Sequence, residues 1–205
     1  MFVDCSFSIT LQLYNKNFGI PLTLHLNGFD LSEGKFKNCN FSEAHLSGSN
    51  LTSASFEDSV LNDVSFYGSN LTNCDLSGAE LQNAYFVQLT GIDGAELTAA
   101  RMNYATIDTV VFTRCSLEDA DLSYATLTNC SFDAESSIER AIFYSTQFQN
   151  VDISKMIIEE IYFDSENEDI EGEAIWENVT MTKSQHEMLS DMEGLQLINP
   201  KIIDE

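Results

Sequence analysis

The stretch LTSASFEDSVLNDVSFYGSNLTNCDL, residues 51–76, decides the fold. Its bulky residues Leu51, Phe56, Leu61, Phe66, Leu71 and Leu76 recur at every fifth position, a period that suits neither an α-helix nor an ordinary strand. Two residues before each stands a small or apolar one: Ser49, Ala54, Ser59, Val64, Ser69 and Cys74. In an extended chain residues i and i−2 point the same way. Each five-residue unit therefore sends one small and one large side chain inward and turns three outward. The chain has to turn a corner at every unit, and four such sides close a square coil of about twenty residues that stacks on the next at roughly 4.8 Å.

Working outward, one unbroken series runs from Leu26 to Phe86, a second from Ile92 to Phe132, and a third from Ile138 to Phe163, with one extra residue at each junction. The charges test this register, because a carboxylate facing the core would cost several kcal/mol. Every acid from Asp30 to Glu160 falls outside both inward classes, and so do Lys35, Lys37, Arg101, Arg114, Arg140 and Lys155. Cys5, Cys39, Cys74, Cys115 and Cys130 all occupy the small inward slot and read as core hydrophobes. No two of them lie one coil apart, so neither a disulfide nor a metal site is suggested.

The chain has 205 residues, room for one domain, with 33 acidic against 9 basic residues and a formal charge of −24. Nucleic acid and anionic membranes would repel it, so an electrostatic partner should be basic, or be a protein that normally grips a polyanion. No basic stretch at the start leads into an apolar run, and no run approaches membrane-spanning length. An odd number of unpaired cysteines agrees with a reducing compartment, and the expectation is a cytoplasmic protein.

Before the repeats, over residues 1–21, Ile9, Leu11 and Leu13 alternate with polar residues and predict an N-terminal strand cap or irregular first coil. The β-helix is expected over 22–163. The rhythm fails across an acidic inserted loop, 164–175, whose calcium-loop spacing lacks the required glycine and final glutamate. It returns at Trp176 and Met181 within a last segment, 176–205. There Thr182 with Gln185, and Ser184 with Glu187, form overlapping capping boxes that predict a short helix ending near Gly194. Met188, Leu189 and Met192 form its apolar stripe, and Leu195, Leu197 and Ile198 follow; together they are too apolar to leave in water.

Units such as Ser49-Asn50-Leu51, Cys74-Asp75-Leu76 and Ala120-Asp121-Leu122 resemble the Ala-Asp/Asn-Leu-x-x consensus of the pentapeptide-repeat family. The resemblance covers about two thirds of the chain and implies an all-β, right-handed quadrilateral β-helix, here with a short C-terminal α-helix. Its quinolone-resistance members and their mycobacterial relative bind DNA gyrase as mimics of B-form DNA and dimerise through their C-termini. On that resemblance Met188, Leu189, Met192, Leu195, Leu197 and Ile198 are candidate homodimer contacts, the alternative being a lid on the chain's own last coil.

No catalytic constellation is visible. His25, His45 and His186 are far apart in sequence, Ser32 and Lys35 match a Ser-x-x-Lys pattern without its partner motifs, and a filled β-helix leaves no substrate cavity. A non-enzymatic protein without cofactor is expected. Assigning residues to the four sides, with each extra residue read as a bulge that skips no side, gathers acid on one of them. That side carries Glu57, Asp58, Asp75, Glu96, Glu118, Asp119, Glu139, Glu159 and Glu160, while a neighbouring side holds only Asp108. The expected function is therefore a polyanion mimic that grips a type II topoisomerase such as DNA gyrase through the acidic side. The rival is a scaffold or effector that binds another protein, with acidity serving solubility.

Overall fold

The computed structural model describes residues 24–156, 158, 160–163 and 172–204. Within them the backbone winds as a four-sided β-helix, each side hydrogen-bonded in parallel register to the same side of the next coil. Four columns of bridges define the sides. Side one stacks Lys35, Ser55, Asp75, Glu96, Ser116 and Ser137, and side two Asn40, Val60, Glu80, Arg101, Asp121, Ile142 and Tyr162. Side three begins His25, His45, Ser65 and Tyr85, and side four Asp30, Asn50, Asn70 and Gly91.

Bridges widen into short strands toward the C-terminus: β1 (Tyr85–Val87), β2 (Thr106–Asp108), β3 (Val111–Phe112), β4 (Thr126–Thr128), β5 (Ser131–Phe132), β6 (Gln147–Gln149), β7 (Ala174–Glu177) and β8 (Thr180–Thr182). Helix α1 (Lys183–Leu189), β9 (Leu195–Ile198) and β10 (Lys201–Ile203) complete the chain. On side three β1, β2, β4, β6, β7 and β9 form one parallel sheet; β3 pairs with β5 and β8 with β10.

The inward register is as the periodicity predicts. Leu51, Phe56, Leu61, Phe66, Leu71 and Leu76 are fully buried, and Ala54, Val64, Cys74, Ser59 and Ser69 are buried beside them. Successive coils stack like on like: Phe36 on Phe56 at 4.7 Å, Phe66 on Phe86 at 5.0 Å, Phe112 on Phe132 at 4.6 Å. No charged side chain is buried among the described residues. Inward hydroxyls satisfy themselves on backbone carbonyls, either of the preceding coil, as Ser49 on Leu26 and Ser59 on Phe36, both at 2.6 Å, or of their own, as Ser69 on Phe66 at 2.6 Å.

The corners fall at the second residue after each large inward one, which takes a left-handed conformation whether or not it is glycine. Glu33, Asn38, Glu43, Ser53, Asp58, Asp63 and Asn73 all have φ between 53° and 62°. In units such as Leu31–Gly34 the Gly34 amide closes on the Leu31 carbonyl at 3.1 Å, the pattern of a type II turn. A left-handed non-glycine residue costs about 1 kcal/mol. The ladder offsets it, because the corner amide donates to the next coil, as Glu33 does to the Thr52 carbonyl at 2.9 Å and Asn38 to that of Glu57 at 3.0 Å. Gly78 is different: any Cβ there would lie 2.6 Å from Asp58 Oδ1.

Both extra residues are bulges that keep the sides aligned. Ser65 pairs with Tyr85, twenty residues on, and Asn70 with Gly91, twenty-one on, so the first lies between Tyr85 and Gly91. Val111 pairs with Ser131 but Ser116 with Ser137, placing the second between Ser131 and Ser137.

The rhythm resumes at β7, where Trp176 stacks flat on Phe148 at 4.3 Å and Gln147 pairs with Ile175. Ala174 and Ile175, assigned to the acidic loop by the sequence reading, are thus strand residues. Gly172 enters the column in close contact with Tyr144: a Cβ there would lie 2.5 Å from the Tyr144 hydroxyl. Tyr144 sits at an outward repeat position yet is 4% exposed. The expected N-terminal strand cap, Cys5 and residues 164–171 of the loop lie outside the described residues.

Of the two capping boxes, the Thr182–Gln185 one forms: Thr182 Oγ1 accepts from the Gln185 amide, and Gln185 Oε1 accepts from the Thr182 amide. Gln185 also donates to the carbonyls of Ile153 and Met156, tying α1 to the last complete coil. The helix stops at Leu189, short of the expected Gly194, whose φ of 79° instead marks the turn into β9.

Candidate protein-binding sides

Side one brings its expected acids onto one surface, because its outward positions repeat every coil. Asp75 and Glu96 pair directly in the ladder, and Glu118 follows one level on. Glu57, Asp58, Asp119, Glu139 and Glu160 share the side; Glu159 lies outside the described residues.

Ion pairs divide these acids in a way that repeat spacing does not reveal. Lys37 Nζ lies 2.5 Å from Glu57 and 3.7 Å from Asp58. Arg140 forks onto Asp119, with Nε to Oδ1 at 2.7 Å and Nη2 to Oδ2 at 2.9 Å, and also contacts Glu139. These hydrogen bonds hold the Asp119 carboxyl below the usual carboxylate range and push the Arg140 guanidinium up. Among the described residues Asp75, Glu96, Glu118 and, toward the C-terminal end, Glu160 have no cation within ion-pair distance, so uncompensated charge runs through the middle of side one.

Acid is also more widely spread than a single stripe. Side two carries Glu43, Asp63, Glu80 and Asp121 against Arg101, and side four Asp30, Glu33, Asp93, Asp133, Asp152 and, in the bulge after Phe132, Glu135 against Arg114 and Lys155. On side four Arg114 pairs with Asp93 and lowers its pKa through their hydrogen bond. Side three is the exception, with Asp108 and, in the last coils, Glu177. The molecule is thus a rod with three acidic sides and one nearly neutral one.

The neutral side and its edge carry aromatic residues that composition alone did not single out. Tyr67 and Tyr85 on side three are 50% and 48% exposed. At the corner between sides two and three Tyr104 stacks on Tyr124 at 4.8 Å and 3°. Their separation, one coil, was the available signal.

The C-terminal tail folds back on its own chain. β9 pairs with β7 and β10 with β8, so Leu195 and Leu197 pack against the solenoid's own core. Leu189, grouped with the dimer contacts by the sequence reading, is fully buried in that core and is not available to a partner. Its position on α1 faces the coil to which Gln185 is tied. Met188, Met192, Leu195, Leu197 and Ile198 keep partial exposure.

The family model described as pentapeptide repeats matches in eight copies, over residues 25–63, 39–78, 59–89 and 95–133. No curated protein matches the sequence. Among solved structures, full-length QnrB1, a plasmid-mediated fluoroquinolone resistance protein, shares 17% identity at a TM-score of 0.48, covering 95% of this chain and 92% of its own. HetL, a pentapeptide repeat protein involved in heterocyst differentiation regulation from the cyanobacterium Nostoc sp. strain PCC 7120, shares 18% at a TM-score of 0.34, covering 94% and 85%. A pentapeptide repeat protein from the Arabidopsis thaliana thylakoid lumen shares 28% at a TM-score of 0.26, covering 60% and 67%.

Proposed function

The chain belongs to the pentapeptide-repeat family, and from that premise we propose that it is a non-enzymatic, cytoplasmic DNA mimic that occupies the DNA-binding surface of a type II topoisomerase such as DNA gyrase. The observation that carries this reading is the uncompensated acid at the middle of side one, Asp75, Glu96 and Glu118, on a rigid rod whose flanking sides are also acidic. A basic groove built for phosphates would gain from such a surface without any base-specific contact, and the attraction would be long-ranged and screened by salt.

The proposal extends to a homodimer through the C-terminal end. β9 and β10 are the terminal strands of their sheets, and Ile202 and Ile203 of β10 are 44% and 42% exposed, a surface that a second copy could cover. The dimer contacts would come from Met188, Met192, Leu195, Leu197 and Ile198.

The test is a supercoiling assay with purified gyrase. Wild type should inhibit or modulate the reaction in competition with duplex DNA, and more weakly as salt rises. Reversal of Asp75, Glu96 and Glu118 together to lysine should abolish the effect with the fold intact, since all three are outward. Salt-insensitive binding, or an active triple variant, would promote the second reading: a scaffold that binds another protein through side three, favoured by the exposed Tyr67 and Tyr85 on an almost uncharged surface.

A further inference from the structure

His25 and His45 are separated in sequence, yet the winding of the chain makes them direct ladder partners on side three. The His45 amide donates to the Leu24 carbonyl at 2.8 Å, and the Leu26 amide to the His45 carbonyl at 2.9 Å, so both imidazoles leave the backbone at matching heights of adjacent coils. Both residues are exposed, and their ring centres lie 4.8 Å apart with the planes 47° to each other.

That separation follows from the strand spacing, and it is one that a metal ion can bridge. With a metal–nitrogen bond of about 2.0–2.1 Å, an imidazole centre stands about 3.2 Å from the ion; two such rings are then about 4.5 Å apart at a right angle and about 5.2 Å apart at the tetrahedral angle. The observed distance falls between the two.

Both imidazoles face solvent, so water can supply the ion's remaining ligands. Gly28, Gly48 and Gly68 form one corner of this side, and a Cβ built on any of them meets nothing within 4 Å. Asn27 Oδ1 is already engaged, accepting from the Ser47 amide at 3.0 Å. Among the described residues no group of three or more His, Cys, Asp or Glu side chains is placed to hold an ion, so the protein offers two nitrogens and water completes the shell. A chain of net charge −24 also concentrates divalent cations around itself.

We propose that His25 and His45 form a two-imidazole chelate for a borderline divalent transition-metal ion, of the Cu2+, Ni2+ or Zn2+ class. Neutral imidazole suits these ions, with Cu2+ the tightest binder in the series. A bound ion would tie the first described coil to the second. Leu24, Leu26 and Phe29 in that coil are only partly buried against the core, so this is where a cross-link between coils adds most to the local structure.

The experiment is Cu2+ titration of the full-length protein near pH 7.5, followed by calorimetry and by electron paramagnetic resonance. Wild type, His25→Gln, His45→Gln and a control, His186→Gln, are compared, with circular dichroism to confirm that each is folded. Wild type and the control should bind one ion through two imidazole nitrogens. Either substitution in the pair should lower affinity by about tenfold or more, the loss of a second tethered ligand, and leave at most one imidazole on the metal. Equal affinity in all four proteins, or a wild-type spectrum with a single imidazole, overturns the proposal.

Discussion

Leu71 and Asn70 are neighbours in sequence and opposites in environment, which makes them the sharpest probe of the five-residue register. Leu71 is fully buried in the middle of the solenoid, its amide donating to the Gly91 carbonyl at 2.7 Å. Asn70 points outward, and its Oδ1 accepts from the Thr72 amide at 3.0 Å and the Thr72 hydroxyl at 2.8 Å. Leu71→Ala leaves a cavity in a closely packed stack and should cost about 2–5 kcal/mol. For a chain of this size that lowers the melting temperature by about 2–4 °C per kcal/mol. Leu71→Asp adds the cost of a buried carboxyl, several kcal/mol more, and the sum rivals the about 5–15 kcal/mol that holds a typical domain together. It should not fold. Asn70→Asp keeps the acceptor oxygen and both bonds to Thr72, so it should stay within about 0.5 kcal/mol of wild type. Thermal and urea melts followed by circular dichroism measure all three. A folded Leu71→Asp, or an Asn70→Asp that loses as much as Leu71→Ala, would refute the inward and outward assignment.

The buried thiols should resist alkylation at pH 8 until the chain is denatured, because burial pushes Cys115 and Cys130 up to about 11 and Cys74 higher still; rapid labelling of native protein by mass spectrometry would contradict this. Thr182→Ala removes the cap of α1 and should cost about 1 kcal/mol in a urea melt, whereas Ser184→Ala, outside the box that forms, should cost less. Arg140→Gln should lower the melting temperature by an amount that is constant from pH 7 to about 5, begins to shrink near the unfolded carboxylate value of about 4, and is lost only below it, as pH falls through the depressed Asp119 pKa. Arg140 depresses the Asp119 pKa, and a depressed carboxyl contributes stability above its unfolded pKa and loses it as pH falls through the folded one. A gap that widens on acidification would count against the pairing.

Residue spacing by itself determined the four-sided winding, the inward and outward classes, the alignment of the columns through both bulges, and the Thr182–Gln185 cap. These follow from local geometry: an extended unit has two sides, and a five-residue period admits one way of closing them. The pairing of His25 with His45 and of Tyr104 with Tyr124 was legible on the same arithmetic, since a step of one coil makes ladder partners of residues that look distant. Other features depended on the folded molecule. Which carboxylates Arg140 and Lys37 neutralise depends on the reach of long side chains across coils, and this decides that Asp75, Glu96 and Glu118, rather than Glu139 or Asp119, carry uncompensated charge. Whether the apolar tail caps its own coil or seeks another chain is a competition between two β edges of similar chemistry. In the monomer the contest is settled for Leu189, because Gln185 anchors α1 to the carbonyls of Ile153 and Met156 and so turns Leu189 into the core. The left-handed corners are the clearest case: Glu33, Ala99 and Tyr104 have no intrinsic preference for that conformation, and the ladder bond to the next coil, which exists once the whole helix is wound, holds them there.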